Sequence, residues 1–349
     1  MKIKRRAATL GMMALGGTAL GIGRARAQAE PSEAELYDAA KKEGRLTWYS
    51  GTFNQPICES MGAAFTAKYP GIRVDATKTT SEVAFQRVMQ DLNGGAVQAD
   101  VFTTTDASHL SYLIGKNELV KYTPPNAAGL VPALRDFNGG GFYHVSWVGL
   151  VAIMYNTKKV TAADSPKDWP DLTDPKWKNK IAFGSPNYSG LVAVWTVGMT
   201  EKFGWGFFEK LNKLNPLIGR SIDDAVAMLN AGERDVAICS AASAFRSAAT
   251  GNPIAVNYAT SFSLADFSPS AILKGSHSPN AAKLYLNFMC GPEFSQILAK
   301  NFEQPLRPDV PPPKGAKSLA ELTLFQPKLA DIEKELPALK NKWRDTFGG

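Results

Sequence analysis

A chain of 349 residues with 44% apolar side chains carries more than one core's worth of material, which excludes a small stapled module and points to two lobes. Its formal charge of +7 is no sign of a nucleic-acid partner: positions 2, 4, 5, 6, 24 and 26 hold six of the 39 Lys and Arg, and the remaining 33 stand against 32 acids. Cys58, Cys239 and Cys290 are odd in number and far apart, so they form neither a disulfide framework nor a CxxC metal site. They read as buried thiols, with a single pairing in an oxidising compartment as the alternative.

The N-terminus reads as an export signal over residues 1–27. Lys2, Lys4, Arg5 and Arg6 precede an apolar run that ends at Ala25-Arg26-Ala27, a small-residue cleavage site before Gln28. Glycines at 11, 16, 17, 21 and 23 make the run a poor permanent membrane span, and Arg5-Arg6 also admits the twin-arginine route.

Residues 32–43 predict a helix closed by Gly44, 46–49 a strand, and 56–68 a helix with Ile57, Met61, Ala64 and Phe65 on one face. Pro70-Gly71 breaks it; Ile72, Val74 and Ala76 alternate as a second strand. A helix from Ser81 places Phe85, Val88, Met89 and Leu92 together, and residues 99–102 supply a third strand. That order opens a doubly wound α/β lobe.

After Pro124-Pro125 the apolar run 145–154 predicts a long strand. Residues 181–183 form a short buried strand, 184–190 a hydroxyl- and glycine-rich loop, and a helix starts near Leu191. A helix at 221–230, a strand at 235–239, a helix near Ser243 and a strand at 254–258 follow, the last expected to return the chain to the first lobe. Helices at 279–288 and 292–300 begin with proline in the first turn, before an extended connector and a final amphipathic helix. The expected division is 28–125 with 258–305 as the first lobe, 126–257 as the second, and 306–349 as a C-terminal connector and helix.

Four strand ends run into small polar residues: Ser50, Gly51 and Thr52; Thr104, Thr105 and Asp106; Ser185, Asn187, Tyr188 and Ser189; Ser240 and Ser243. In open α/β sheets ligands bind beyond the carboxyl ends of strands, so these ends predict one shared cleft. Such residues also cap helices with no ligand involved. Trp147, Tyr155 and Tyr188 could wall an organic solute. Arg246 sits near the start of its helix, where an anion or a salt bridge would explain it. His109, His144 and His277 share no metal-ligand spacing.

No nucleophile elbow, zinc-protease, P-loop or dinucleotide-binding motif occurs, and Asp164, Asp168, Asp171 and Asp174 sit in proline turns. No enzyme activity is expected. A secreted enzyme using Ser240 or Ser243 would need a partnered His and acid that the spacing does not offer.

Several blocks carry a resemblance: Glu43-Gly-Arg-Leu-Thr-Trp-Tyr-Ser-Gly51, Lys68-Tyr-Pro-Gly-Ile72, Ala99-Asp-Val-Phe102, Tyr155-Asn-Thr157, residues 169–181, Ala271-Ile-Leu-Lys-Gly275 and Pro279-Asn-Ala-Ala-Lys-Leu284. In order and spacing the chain resembles the ferric-iron-binding-protein-like group of periplasmic solute-binding proteins of ABC importers. The resemblance implies an α/β, two-lobed Venus flytrap, each lobe a doubly wound mixed sheet, with two hinge strands expected near 101–105 and 254–261. It also implies a periplasmic monomer without cofactor, and a membrane permease and ATPase as partners.

Iron binders of the group use adjacent tyrosines where this chain has Ser240-Ala-Ala-Ser243, and alanine offers a ferric ion no phenolate. The expected ligand is therefore a small organic or anionic solute, with a carboxylate, phosphonate or phosphate headgroup held by hydroxyls and helix N-termini. Metal capture through non-tyrosine oxygen ligands is the alternative. A polyamine would want several acids in the cleft, and Asp106 alone offers itself.

Overall fold

The computed structural model describes residues 31–348; the expected export signal lies outside the described residues. Ten strands form one curled sheet: β1 (Arg45–Ser50), β2 (Arg73–Lys78), β3 (Val101–Thr103), β4 (Tyr143–Asn156), β5 (Ile181–Phe183), β6 (Leu217–Ile218), β7 (Val236–Ser240), β8 (Ile254–Asn257), β9 (Ser263–Ile272) and β10 (Leu324–Phe325). The order is β2-β1-β3-β9-β4-β7-β5-β6, with β8 on β4 and β10 on β9. Parallel β1, β2 and β3 make one end, and parallel β5, β6 and β7 the other. Antiparallel β4 and β9 join the two ends, in register from Tyr143↔Ala271 to Val151↔Leu264.

Local sequence explains the first lobe. Asn54 accepts a hydrogen bond from the Ile57 N–H at 3.0 Å, and Pro56 occupies the first turn of the Gln55–Lys68 helix. That helix buries Ile57, Cys58, Met61 and Phe65. Phe65 meets Tyr285 edge to face, the ring centroids 5.0 Å apart, and Trp48 does the same at 5.5 Å. The second core gathers on Trp195, with Phe208 at 5.2 Å and Phe183 at 5.6 Å.

Three expectations fall differently, whereas the expected C-terminal helix is present and joins a core. The chain returns through β9, not through residues 254–258; β8 stays in the second lobe, paired with β4 at Asn156↔Ile254. The connecting strands are thus β4 and β9, while β3 at 101–103 sits within the first lobe's sheet. Ala127, Leu130, Val131 and Leu134, expected in the second lobe, pack in the first core. The C-terminal helix Leu329–Phe347 sends Trp343 into the second core, against Phe183 at 5.7 Å.

β9 escaped the sequence pattern because Ser-Leu-Ala-Asp-Phe-Ser-Pro-Ser-Ala-Ile has no alternation, yet all ten residues are buried. Its Pro269 lies where the register with β4 shifts between Val145 and Trp147, a bulge being one of the few sheet positions that tolerate proline. Its Ser270 is satisfied locally, while the buried Ser268 hydroxyl has no partner among the described residues: Trp48 Nε1 donates to Thr103 Oγ1 at 2.8 Å, which lies 2.5 Å from Ser270 Oγ, itself 2.7 Å from Ser146 Oγ. This buried chain of hydroxyls crosses β1, β3, β9 and β4.

All three cysteines are free and buried. Burial pushes each thiol up, Cys290 to about 12, and the thiolate is the reactive form. The native protein at neutral pH should therefore leave a chromogenic disulfide reagent unreacted. The denatured chain should consume one equivalent for each of the three cysteines. A rapid native reaction would mean that the packing around at least one of them is open.

Candidate ligand cleft

Two adjoining cavities open where the strand ends meet, and both are lined by Trp147 and Leu191. Trp147 is the one residue of β4 that is not buried. The larger chamber has a volume of about 490 Å³. Its first-lobe wall is Thr80, Ser81 and Glu82 after β2, and Thr105, Asp106, Ala107 and His109 after β3. Across from these stand Gly190 and Leu191 at the start of the Gly190–Phe203 helix, Asp266 and Phe267 of β9, and Lys340 of the C-terminal helix.

Short contacts hold the first-lobe wall. Ser81 Oγ lies 2.9 Å from Thr105 Oγ1 and accepts the Thr105 N–H at 2.9 Å. Gly51 makes this approach feasible: a Cβ there would sit 2.6 Å from Ser81 Cα. His109 stacks flat on Phe85 at 4.1 Å. Its Nδ1 is 3.0 Å from Thr104 Oγ1, and its Nε2 faces Glu82 at 3.4 Å and Asp106 at 3.8 Å.

Asp266 is the electrostatic anomaly of this chamber. It is 4% exposed, and burial, with Asp106 nearby, pushes its carboxyl up to about 7 from 3.8.

The smaller chamber, about 300 Å³, is lined by Thr52 and Asn54 after β1, by Ile222 and Asp223, and by Ser240, Ser243, Arg246 and Glu303. Ser240 precedes the Ala241–Ala249 helix without capping it by a side-chain hydrogen bond, so first-turn N–H groups remain available at the cavity. The Thr52 hydroxyl oxygen is buried and has no hydrogen-bond partner. Arg246 Nη1 donates to Glu303 Oε1 at 2.9 Å, Nη2 donates to Ser243 Oγ at 2.8 Å, and Trp147 Nε1 donates to Glu303 Oε2 at 2.9 Å. Burial pushes the Glu303 carboxyl up, against the pull of Arg246 and Trp147.

Of the residues expected at a ligand, Thr52, Thr105, Asp106, Trp147, Ser240, Ser243 and Arg246 line these chambers. Ser50 and Thr104 are fully buried behind the wall, and Gly51 supports it. Tyr155 packs in the second core. Ser185 hydrogen-bonds within its own loop, where its Oγ accepts the Asn187 N–H at 3.3 Å, and neither Asn187 nor Ser189 reaches a chamber. Tyr188 is 62% exposed, its ring 4.9 Å from the Arg220 guanidinium. The β5 junction serves the cleft through the next helical turn instead, Gly190 and Leu191.

Sequence reasoning passed over Glu82, His109, Leu191, Asp223, Asp266 and Glu303. Only Asp266 carried a readable signal, as an acid inside the apolar run 262–267. The acids also revise the polyamine argument, since Glu82, Asp106 and Asp266 share one chamber. No tyrosine lines either chamber, and no histidine lines the smaller one. Among the described residues no three His, Cys, Asp or Glu gather into a metal-holding group, and no helix is long and apolar enough to cross a membrane.

Comparison with known proteins agrees with this architecture. A family model described as bacterial extracellular solute-binding protein matches residues 46–302. A Salmonella paratyphi A periplasmic protein, provisionally named for 2-aminoethylphosphonate binding, is 27% identical over 203 residues, 56% of this chain and 53% of its own. The chain spans about half the length of the curated relatives it matches. Iron-bound HitA from Pseudomonas aeruginosa is similar at a TM-score of 0.71 with 25% identity, over 85% of this chain and 98% of its own. AfuA from Actinobacillus pleuropneumoniae, solved with fructose-6-phosphate, gives 0.69 with 22% identity, over 87% and 98%.

The raised carboxyl of Asp266 fixes a pH dependence. The folded state holds this proton more tightly than the unfolded chain, so the stabilisation is complete below about pH 4 and is lost as pH rises through about 7. The full loss is no more than about 4 kcal/mol. Asp266→Asn removes it, so its melting temperature should exceed that of the wild type by a margin that widens from about pH 5 to about pH 8. Parallel pH profiles for the two proteins would show that the carboxyl titrates normally.

Proposed function

The chain belongs to the bacterial extracellular solute-binding proteins, and from that premise we propose that it captures a small organic solute through an anionic headgroup, carboxylate, phosphonate or phosphate, and delivers it to a membrane permease. Its fold is that of the ferric-binding-protein-like, two-lobed periplasmic binding proteins of ABC importers. The observation that carries the reading is the smaller chamber, where the uncapped N-terminus of the Ala241–Ala249 helix, Ser240 and the unpartnered Thr52 hydroxyl meet. Helix N-termini attract anions through free N–H groups and the positive end of the dipole.

The Ser240-Ala-Ala-Ser243 sequence supports an organic anion over ferric iron, because the chamber contains hydroxyls and amides in place of phenolates. The phosphonate in the Salmonella relative's name and the sugar phosphate in the AfuA structure suggest the same headgroup chemistry. Binding would draw the lobes together about the cleft, and the closed form would dock on the permease and ATPase.

The test is thermal unfolding of the mature protein against phosphonates, sugar phosphates and carboxylates. A true solute at a hundred times its Kd adds about 2.7 kcal/mol of stability, with compaction in solution scattering. Thr52→Ala and Ser243→Ala should each weaken that solute about tenfold, the scale of one lost hydrogen bond to a charged group. Saturation by an anion that leaves stability, shape and both variants unaffected would refute this site.

A further inference from the structure

The smaller chamber accounts for one end of a solute and leaves the larger one unexplained. There, Asp266 is 4% exposed, and that exposure opens into the cavity it lines. Among the described residues, no hydrogen-bond donor or cationic side chain pairs with its carboxyl, although the buried acids Asp100 and Glu303 both have partners. A buried carboxylate without a partner is costly, so a position that retains one facing a cavity is built for a group that arrives later.

The surroundings define that group. Glu82 and Asp106 come from the loops after β2 and β3, and Lys340 is the sole lysine or arginine on the wall. His109 already faces both acids of those loops. Trp147 and Phe267 add aromatic surface, which suits an ammonium as well as it suits an apolar chain. Trp147 and Leu191 line both chambers, so a short molecule can reach from one to the other.

We propose that the larger chamber is an ammonium subsite in which the Asp266 carboxylate pairs with a protonated amine, so that the cleft selects a small zwitterion. This rests on the anionic-headgroup reading of the smaller chamber and extends it to the other end of the same solute. Asp266 acts as a specificity-determining residue: its own proton is released as the ammonium enters, and one buried charge pair replaces a neutral acid.

Calorimetry with matched probes that differ only in the amine tests this: 2-aminoethylphosphonate against ethylphosphonate, and 3-aminopropionate against propionate, with 1,4-diaminobutane as an amine lacking an anionic end. The wild type should prefer the amine-bearing member of a pair by at least about tenfold, and Asp266→Asn should abolish the preference while leaving the des-amino probe bound. Amine binding near neutral pH should release a proton, seen as a heat that varies with buffer ionisation enthalpy and is absent in Asp266→Asn. Equal affinities within each pair, or a preference that survives Asp266→Asn, overturns the subsite and leaves the anion site standing. Asp266-dependent binding of the diamine alone retires the anionic headgroup and supports the subsite. No binding of any probe by folded wild-type protein counts against both.

Discussion

The antiparallel pairing of β4 with β9 is the constraint on which the rest depends. Each strand runs from one core into the other: β4 places Val145, Val148 and Leu150 in the first and Val151, Ile153 and Met154 in the second. Because both are buried along almost their whole length, their polar groups must find partners inside the protein. The chain from Trp48 through Thr103 and Ser270 to Ser146 provides them for those two serines and ties four neighbouring strands together. Each link contributes only about 1 kcal/mol net, yet leaving one partner orphaned costs about 1–3. The serines thus fix the register of the crossing more strongly than their hydrophobicity would suggest.

The same crossing places the site. Trp147 stands at the register shift between Val145 and Trp147, and a bulge re-aims a side chain; here the indole turns out of the buried strand into the cleft. Asp266, opposite Gly149 in the ladder, enters the larger chamber from the partner strand. A polar group so deep, on a backbone paired with β4 at that position, has little freedom to move towards water. Loop residues line the rim, and the crossing strands supply the floor.

How much of this was legible follows the physics of each segment. Amphipathic helices and strands with clear edges, such as Gln55–Lys68 and β1, declare themselves through spacing and caps. β9 does not, because a strand buried on both faces has no polar face to alternate, and its serines and proline mimic a loop. The strand-end rule found the junctions after β1, β3 and β7. It misjudged the one after β5, where Ser185 spends its hydroxyl on its own turn. It also could not see Glu303 or Lys340, which reach the cleft from segments distant in sequence; only tertiary packing brings them there.

Charge was the least readable property, since what matters is which charges remain unpaired after folding. Arg246, expected near the start of its helix, looked like a hand held out to an anion, but the helix begins at Ala241 and Arg246 lies in its last turn. In the fold its guanidinium is already bound to Glu303, and Glu303 is bound in turn by Trp147. The triad is nearly neutral as a unit, and it orients the tryptophan that borders both chambers. An incoming anion therefore meets helix dipole and hydroxyls, which bind by direction, more than a free cation, which would bind by charge alone. In the larger chamber the buried group without a partner among the described residues is a carboxyl on β9, Asp266. Pairing within the fold, more than residue type, thus decides what each chamber has left to offer a ligand.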